Sequence, residues 1–312
     1  MTRPERPVPC LVGATAVGKS DVAIALARRV GGEVIACDAL TVYRGVDVLT
    51  AKPAAPPDVP HHLLGGLEPH ETYSAGRFVA DCDRVVEDVL GRGRVPLVVG
   101  GTALYLVSWL HGMGAAVARD ERLRAELEAL ADREGTAALA ARLRAQDPRR
   151  AAEVHEHDRR RLVRALEIVE ATGRPASEAR GQWAAPPRRA AVVVGLRRSD
   201  DDLRRRVEAR ARAMLDGGAL EEVAALDAAP RPPSRELAQA IGLADVRAVL
   251  AGLLTREACA ERLARATWRF TRRQRTFFRR LPVQWLDVAQ DEPPATTAAR
   301  VHDVLRAAAA VA

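Results

Sequence analysis

Gly13-Ala14-Thr15-Ala16-Val17-Gly18-Lys19-Ser20 is the stretch on which the fold is decided. The apolar run Val8 to Val12 before it reads as a buried strand. Asp21-Val22-Ala23-Ile24-Ala25-Leu26-Ala27 after it carries apolar residues at helical spacing. Strand, glycine loop and helix in that order turn G-x-x-x-x-G-K-[ST] into a phosphate cradle. Gly13 and Gly18 allow backbone angles that bring successive N–H groups onto one anion. The helix starting near Lys19 adds its positive dipole end. Lys19 supplies a mobile charge for terminal phosphate oxygens, and the Ser20 hydroxyl suits Mg2+. A glycine turn that binds nothing is the competing reading, and it leaves the Lys and Ser without a purpose. The loop alone names neither the phosphate compound nor the group that moves.

At 312 residues the chain has room for one large domain or two smaller ones. Apolar residues make up 48% and charged residues 29%, the balance of a globular protein with a sizeable core. The formal net charge of +7 suits a polyanionic partner, although an arginine-rich coding bias yields the same excess. Cys10, Cys37, Cys82 and Cys259 form no C-x-x-C pair and no zinc-spaced cluster with His. Reduced, buried thiols in a cytoplasmic protein are therefore expected. Met1 to Pro9 lacks the apolar stretch of a leader, and no run reaches the length of a membrane helix.

Further along, Glu33 to Cys37 reads as a second strand that ends at Asp38. A carboxylate there sits at the edge of an open α/β sheet where ligands bind. Asp38 fits three roles: an aspartate ordering Mg2+ through water, a general base facing an acceptor, or a helix N-cap. Residues 39 to 53 read as a polar loop carrying Tyr43, Arg44, Thr50 and Lys52. His61 and His62 are adjacent and point to different sides of any regular element, which favours a structural or hydrogen-bonding role over a metal pair. Tyr73 to Phe78 opens a helix running to about Gly91. Val95 to Val99 is a buried strand leading into Gly100-Gly101-Thr102, which brings backbone donors and a hydroxyl to the same edge. No acid ends that strand, which weakens an NTPase motor reading.

From about Ala115 the texture becomes helical and charged. Glu121 to Arg144 reads as a helix with Leu123, Leu127, Leu130, Leu139 and Leu143 as its stripe. A second helix begins at His155 with Arg160, Arg161 and Arg164 in its first turns. That placement opposes the helix dipole, so either an outside anion compensates or the arginines form a solvated face. Gly173-Arg174-Pro175 ends it, and Trp183 to Arg189 reads as a Pro-rich linker. Ala190 to Leu196 returns to the sheet, and the helix from Asp200 to Leu215 sets Arg206 and Arg210 on one face as phosphate clamps or as surface charge. The helix from about Thr255 to Leu281 carries eight arginines between Arg262 and Arg280 and no acid. Trp268, Phe270, Phe277 and Phe278 are interleaved, a nucleic-acid pattern in which at least two of the rings are expected in the core. Trp285-Leu286-Asp287 closes that core. The expected fold is α/β: a P-loop NTPase-like parallel sheet flanked by helices, with an all-helical insertion. Residues 1–115 and 186–312 form the core in this reading, and 116–185 the insertion.

Taken together, these blocks resemble the tRNA dimethylallyltransferases. The matching stretches are Gly13 to Ser20, Asp38 with Val42-Tyr43-Arg44-Gly45-Val46-Asp47, Thr50-Ala51-Lys52-Pro53, His61-His62-Leu63, Tyr73-Ser74-Ala75 and Val99 to Tyr105. Asp158 to Leu166, Thr172 to Pro175, Met214-Leu215, Gln239 to Gly242, and Thr267 through Gln274 to Phe278 continue the match, in order, from about residue 10 to 287. The resemblance implies transfer of a dimethylallyl group from dimethylallyl diphosphate to the exocyclic amine of the adenosine 3′-adjacent to the anticodon. It implies that Gly13, Ala14, Thr15, Ala16, Val17, Gly18 and Lys19 bind the diphosphate, with Arg210, or Arg206 second, clamping it. Ser20 would hold Mg2+, and Asp38 would take the proton of the attacking amine. Catalytic residues would be Asp38, Lys19, Thr15 and Arg210. The tRNA surface would comprise Asp38, Ala39, Leu40, Thr41, Thr102, Arg124, Arg160, Arg161, Leu162, Val163 and Arg164. Gln239, Ala240, Ile241, Gly242, Leu243 and Ala244 would complete it, with the insertion gripping the anticodon stem-loop. The implied partners are tRNA and dimethylallyl diphosphate, with no membrane, for a monomeric cytoplasmic enzyme.

The chain departs from the family's usual pattern on the acceptor side. Ala39, Leu40 and Thr41 follow Asp38 where Ser-Met-Gln or similar is usual, Leu49 replaces Gly, Arg160 replaces Gln and Leu243 replaces Tyr. The alternatives are a small-molecule P-loop kinase, prenylation of free adenine nucleotides, or an RNA-binding protein with a vestigial site. The basic insertion and C-terminal helix argue against the small acceptor, and the complete loop with Asp38 argues against the vestigial site.

Overall fold

The computed structural model describes residues 7–112, 120–179 and 186–311. The chain divides into two compact units, Met1–Leu110 with Arg189–Ala312, and His111–Arg188. The expected boundaries at 115/116 and 185/186, and the first part of the linker Trp183 to Arg189, lie outside the described residues.

In the first unit, β1 (Val8–Gly13), β2 (Gly32–Cys37), β3 (His61–His62), β4 (Val95–Gly100), β5 (Ala191–Arg197) and β6 (Gln284–Asp287) form one six-stranded sheet in the order β3-β2-β4-β1-β5-β6. Every neighbouring pair is parallel. Parallel neighbours need long crossovers, and α1 (Lys19–Val30), α2 (Ala75–Gly91) and α3 (Ala103–His111) lie in them. The parallel sheet expected from the apolar runs is the one observed. Two short edge strands escaped the periodicity reading, because β3 has two residues and β6 four. The His61-His62 pair is structural: His62 Nε2 lies 2.6 Å from Glu33 Oε2, and His61 Nδ1 lies 2.8 Å from the Val59 carbonyl. The stretch read as a polar loop, 39 to 53, buries Val42, Tyr43, Val46 and Leu49 in the core. Its turns hide an apolar face that has no regular period.

The second unit packs α4 (Glu121–Glu134), α5 (Thr136–Gln146), α6 (Pro148–Glu153), α7 (Arg159–Thr172) and α8 (Ala176–Ala179). Leu127, Leu139, Leu143, Leu162, Val163 and Leu166 are its buried core. The single helix expected from Glu121 to Arg144 is two helices, broken at Gly135. That residue has φ 79° and ψ 170°, a conformation that glycine adopts and residues with a Cβ avoid. The helix expected from His155 starts at Arg159, and Asp158 caps it by accepting from the Arg161 amide at 3.1 Å. The cap places a negative group at the positive helix end.

Back in the first unit come α9 (Asp200–Asp216), α10 (Ala219–Asp227), α11 (Arg235–Ala238), α12 (Leu243–Leu250), α13 (Arg256–Phe278) and α14 (Pro294–Val311). Successive strand residues face opposite sides of the sheet. Cys10, Val12, Ile35 and Val98 pack with Phe78 and Val86 of α2 and with Trp109 of α3. Leu11, Val34, Leu97 and Val99 pack with Val22 and Leu26 of α1 and Val301 of α14. Among the described residues no helix is long and apolar enough to cross a membrane. Replacing Gly135 by Ala puts a Cβ into a glycine-only conformation. It is expected to cost the helical unit about 1–3 kcal/mol in denaturant unfolding, with the first unit's transition unchanged.

Candidate active site

The C-terminal ends of β1, β4 and β2 lie side by side, with Val12 opposite Gly100 and Gly100 opposite Cys37. This register brings the phosphate loop, Gly100-Gly101 and Asp38 to one edge of the sheet, as expected for ligands in open α/β sheets. A cleft of about 510 Å³ opens there, and Thr15, Lys19, Ser20, Asp38, Arg210 and Gln274 are among its lining residues. Asp38 is no helix cap: its Oδ1 accepts from the Leu40 and Thr41 amides at 2.9 and 3.3 Å, and no helix follows. Those bonds fix the carboxylate at the rim of the cleft. Thr41 is buried beside it and lines the same cleft, with no partner for its hydroxyl.

Three cations that line the cleft converge on the loop. Lys19 Nζ donates to the Gly13 and Ala14 carbonyls at 3.0 and 2.7 Å. Burial lowers its pKa to about 8, with Arg210 adding to the shift and Asp38 opposing it. Arg210 donates to Thr15 Oγ1 at 3.3 Å and to the Ala51 carbonyl at 3.2 Å. Burial also holds this guanidinium below its ordinary value, against the pull of Asp38. Arg206 donates through Nε to the Ala16 carbonyl at 2.8 Å. Two carboxylates, Asp21 and Asp38, share the cleft with three cations, a net positive lining suited to a polyanion.

For Mg2+ the donor set is slim but chemically suitable. Among the described residues no group of three or more His, Cys, Asp or Glu side chains is placed to hold a metal. Ser20 and Asp38 share the cleft, and Mg2+ keeps several waters and binds phosphate oxygens alongside one or two protein oxygens. The residues present fit a metal brought in with a phosphate ligand.

The other expected site residues divide into groups. Ala14 and Val17 are buried beneath the loop and support it from the core. Thr102 turns its hydroxyl to the Ala39 amide, accepting at 3.2 Å, and so orders the loop after Asp38. Gln239 and Ala244 are exposed and Ile241 is half-buried. Three residues expected at a nucleic-acid surface, Leu162, Val163 and Leu243, are core side chains at 1% exposure or less. Their apolar side chains answer the helix period, which hides them while leaving their neighbours at the surface. Arg124 is nearly buried and lies 3.3 Å from Glu167. Arg160 and Arg161 are exposed, and Arg164 lies 3.3 Å from Glu167. On α13, Phe278 is buried, Trp268 and Phe277 are half-buried against the core, and Phe270 lines the cleft. Arg269, Arg272, Arg273, Arg279 and Arg280 are exposed.

Two residues that the sequence reading gave no role are central to the geometry. Gln274 is buried, accepts from the Thr15 amide at 2.9 Å and donates to the Gly101 carbonyl at 2.9 Å. The Thr15 amide is thereby committed to the protein, leaving Thr15 its hydroxyl for a ligand. A polar residue on the same helical stripe as Phe270 and Phe278 was the available signal. Arg198 donates to the Val17 carbonyl at 2.9 Å, and nothing in an Arg-Arg pair after a strand announces that contact.

The chain's two lysines offer a direct probe of the cleft. At about pH 8, acetic anhydride is expected to label Lys19 well ahead of Lys52, whose ammonium is held by Asp47 and the Tyr43 carbonyl. Inorganic pyrophosphate should protect Lys19. Peptide mass spectrometry reads both, and equal labelling of the two lysines would contradict the depressed Lys19.

A family model described as IPP transferase matches residues 41–281, and one described as isopentenyl transferase matches residues 7–56. A tRNA dimethylallyltransferase of Anaeromyxobacter dehalogenans is 44% identical over 298 residues, covering 94% of this chain and 98% of that protein. That of Thermomicrobium roseum is 41% identical over 289 residues, covering 91% and 87%. The crystal structure of the tRNA isopentenylpyrophosphate transferase of Bacillus halodurans superposes with a TM-score of 0.70 at 32% identity, covering 98% and 96%. A eukaryotic dimethylallyltransferase acting on tRNA superposes with a TM-score of 0.81 at 25% identity, covering 97% and 80%. With its sheet order, phosphate loop and these relatives along nearly its whole length, the chain belongs to the IPP transferase family of tRNA dimethylallyltransferases.

Proposed function

We propose that this enzyme transfers a dimethylallyl group from dimethylallyl diphosphate to the exocyclic amine of the adenosine 3′-adjacent to the anticodon in tRNA, releasing pyrophosphate. The observation that carries the reading is the placement of Asp38 on the same cleft as the phosphate loop and Arg210. A diphosphate held by the loop leaves its allylic carbon pointing into the cleft. The amine nitrogen attacks that carbon, the carbon–oxygen bond breaks, and negative charge gathers on the departing pyrophosphate. Lys19, Arg210 and the Thr15 hydroxyl stabilise that charge where it develops. The Asp38 carboxylate accepts the proton that the amine loses on forming the new carbon–nitrogen bond. Mg2+ brought with the diphosphate would be held by Ser20 and would neutralise phosphate charge.

The acceptor base lies inside a folded RNA, so it must leave its stack to reach Asp38. The loop from Asp38 to Thr41, ordered by Thr102, and the segment from Gln239 to Ala244 form the expected lining for it. The exposed arginines of α13 suit neutralisation of RNA phosphates. The helical unit, through Arg160, Arg161 and neighbours, is the proposed grip on the anticodon stem-loop. A monomer acting in the cytoplasm completes the reading.

The direct test incubates the enzyme with labelled dimethylallyl diphosphate and either unmodified tRNA or AMP. Label is expected in the adenosine beside the tRNA anticodon and not in AMP. Transfer to AMP alone, or ATP turnover with a small acceptor and no prenyl transfer, would overturn the assignment. Asp38→Asn is expected to slow transfer by about 10²–10⁴-fold while leaving pyrophosphate affinity near that of the unsubstituted enzyme. Full activity in that variant would remove Asp38 as the base.

A further inference from the structure

We infer that Arg198 is a positioning residue for the donor site: it holds the phosphate loop in its anion-binding conformation through the Val17 carbonyl. The inference rests on the diphosphate reading of the loop. Ala16 sits at φ 63°, a left-handed conformation unfavourable for a residue with a Cβ. Such a conformation persists only where the surroundings impose it. Here the carbonyls of the two successive peptides flanking Val17 are gripped, that of Ala16 by Arg206 at 2.8 Å and that of Val17 by Arg198 at 2.9 Å. A trans peptide directs its N–H away from its C=O. Holding the Val17 carbonyl therefore aims the Gly18 amide to the opposite side, as a donor for an anion.

Arg198 is itself immobilised. Its Nη1 donates to Asp202 Oδ2 at 2.9 Å and to the Ala289 and Gln290 carbonyls at 2.7 and 3.0 Å. The side chains of Arg198 and Asp202 are 6% and 7% exposed, so the pair is a buried one. A buried guanidinium with this many fixed acceptors has one geometry, which is what a brace requires. Arg206 differs from it: it lines the cleft and can also meet the ligand, whereas Arg198 lies outside that lining. The donor site thus depends on the segment after β6, some ninety residues beyond Arg198.

Arg198→Met and Arg198→Lys test this in the full-length enzyme, with inorganic pyrophosphate as the probe in titration calorimetry. Arg198→Met is expected to weaken pyrophosphate binding and to raise the KM for dimethylallyl diphosphate by about tenfold each, the worth of a charged hydrogen bond. The KM for tRNA and the kcat at saturating donor should stay within about twofold, since transition-state contacts are intact. Lysine keeps the charge but not the fork that reaches Val17, Asp202 and the 289–290 carbonyls together, so Arg198→Lys should remain several-fold weakened. Adding Ala16→Gly to Arg198→Met removes the strain that needed bracing and is expected to recover part of the lost affinity. A folded variant, of either kind, with unchanged pyrophosphate affinity and only a lower melting temperature would overturn the inference. Complete recovery by lysine would do the same, by reducing the effect to charge. If the unsubstituted enzyme binds pyrophosphate in an Arg198-dependent way yet prenylates no tRNA, the proposed function fails and the brace stands.

Discussion

The buried amide of Gln274 joins two turns that leave the sheet at different strands. Its oxygen takes the Thr15 amide from the loop after β1, and its nitrogen gives to the Gly101 carbonyl after β4. A side-chain amide buried this deeply is stable only when its donor and acceptor are both engaged. The two turns therefore have to hold a fixed separation. Gly101 makes the approach possible, since a Cβ there would stand 2.5 Å from Gln274 Nε2. The same turn carries Thr102, whose hydroxyl orders the segment after Asp38. Phosphate loop, strand end and carboxylate are thus tied into one rigid frame by a residue from α13.

The frame holds an arrangement of charge that would otherwise fly apart. Lys19, Arg206 and Arg210 gather around one loop, and burial lowers the pKa of both Lys19 and Arg210. Their repulsion is offset by loop carbonyls and by Asp38. In the proposed reaction a diphosphate would answer all three cations at once, and its departure as pyrophosphate would increase the charge they meet. The buried Arg198–Asp202 pair stands behind the loop. It adds geometry rather than net charge, because its cation is already neutralised by Asp202.

Much of this was legible in the residues. The runs before Gly13, Asp38 and Gly100 are apolar on both faces, which is how strands of a covered parallel sheet read. The loop spacing with Lys19-Ser20 and the carboxylate of Asp38 at a strand end pointed to one edge of the sheet, and the structure brings them onto one cleft. Other features were hidden for definable reasons. β3 and β6 are too short to show a period. Gly135 lay within a stretch that reads as one helix, and the break shows only in its φ and ψ. Leu162, Val163 and Leu243 fell inside stretches that match the family, yet their side chains turn to the core. A matching block marks a region, and the helix period decides which of its members face outward.

By itself the sequence determined the fold class, the strand–loop–helix around Gly13 to Ser20, and the sheet edge at which that loop and Asp38 meet. Local spacing sets all three: apolar runs dictate buried strands, and glycines with Lys and Ser dictate a cradle at a helix start. Only the tertiary structure decided how that cradle is held. Arg198 and Gln274 reach Val17 and Thr15 from about 180 and 260 residues away. Contacts of that span depend on the parallel stacking of strands and the docking of α13. One arginine among many, or one glutamine in a basic helix, gains its meaning from the neighbour that packing gives it.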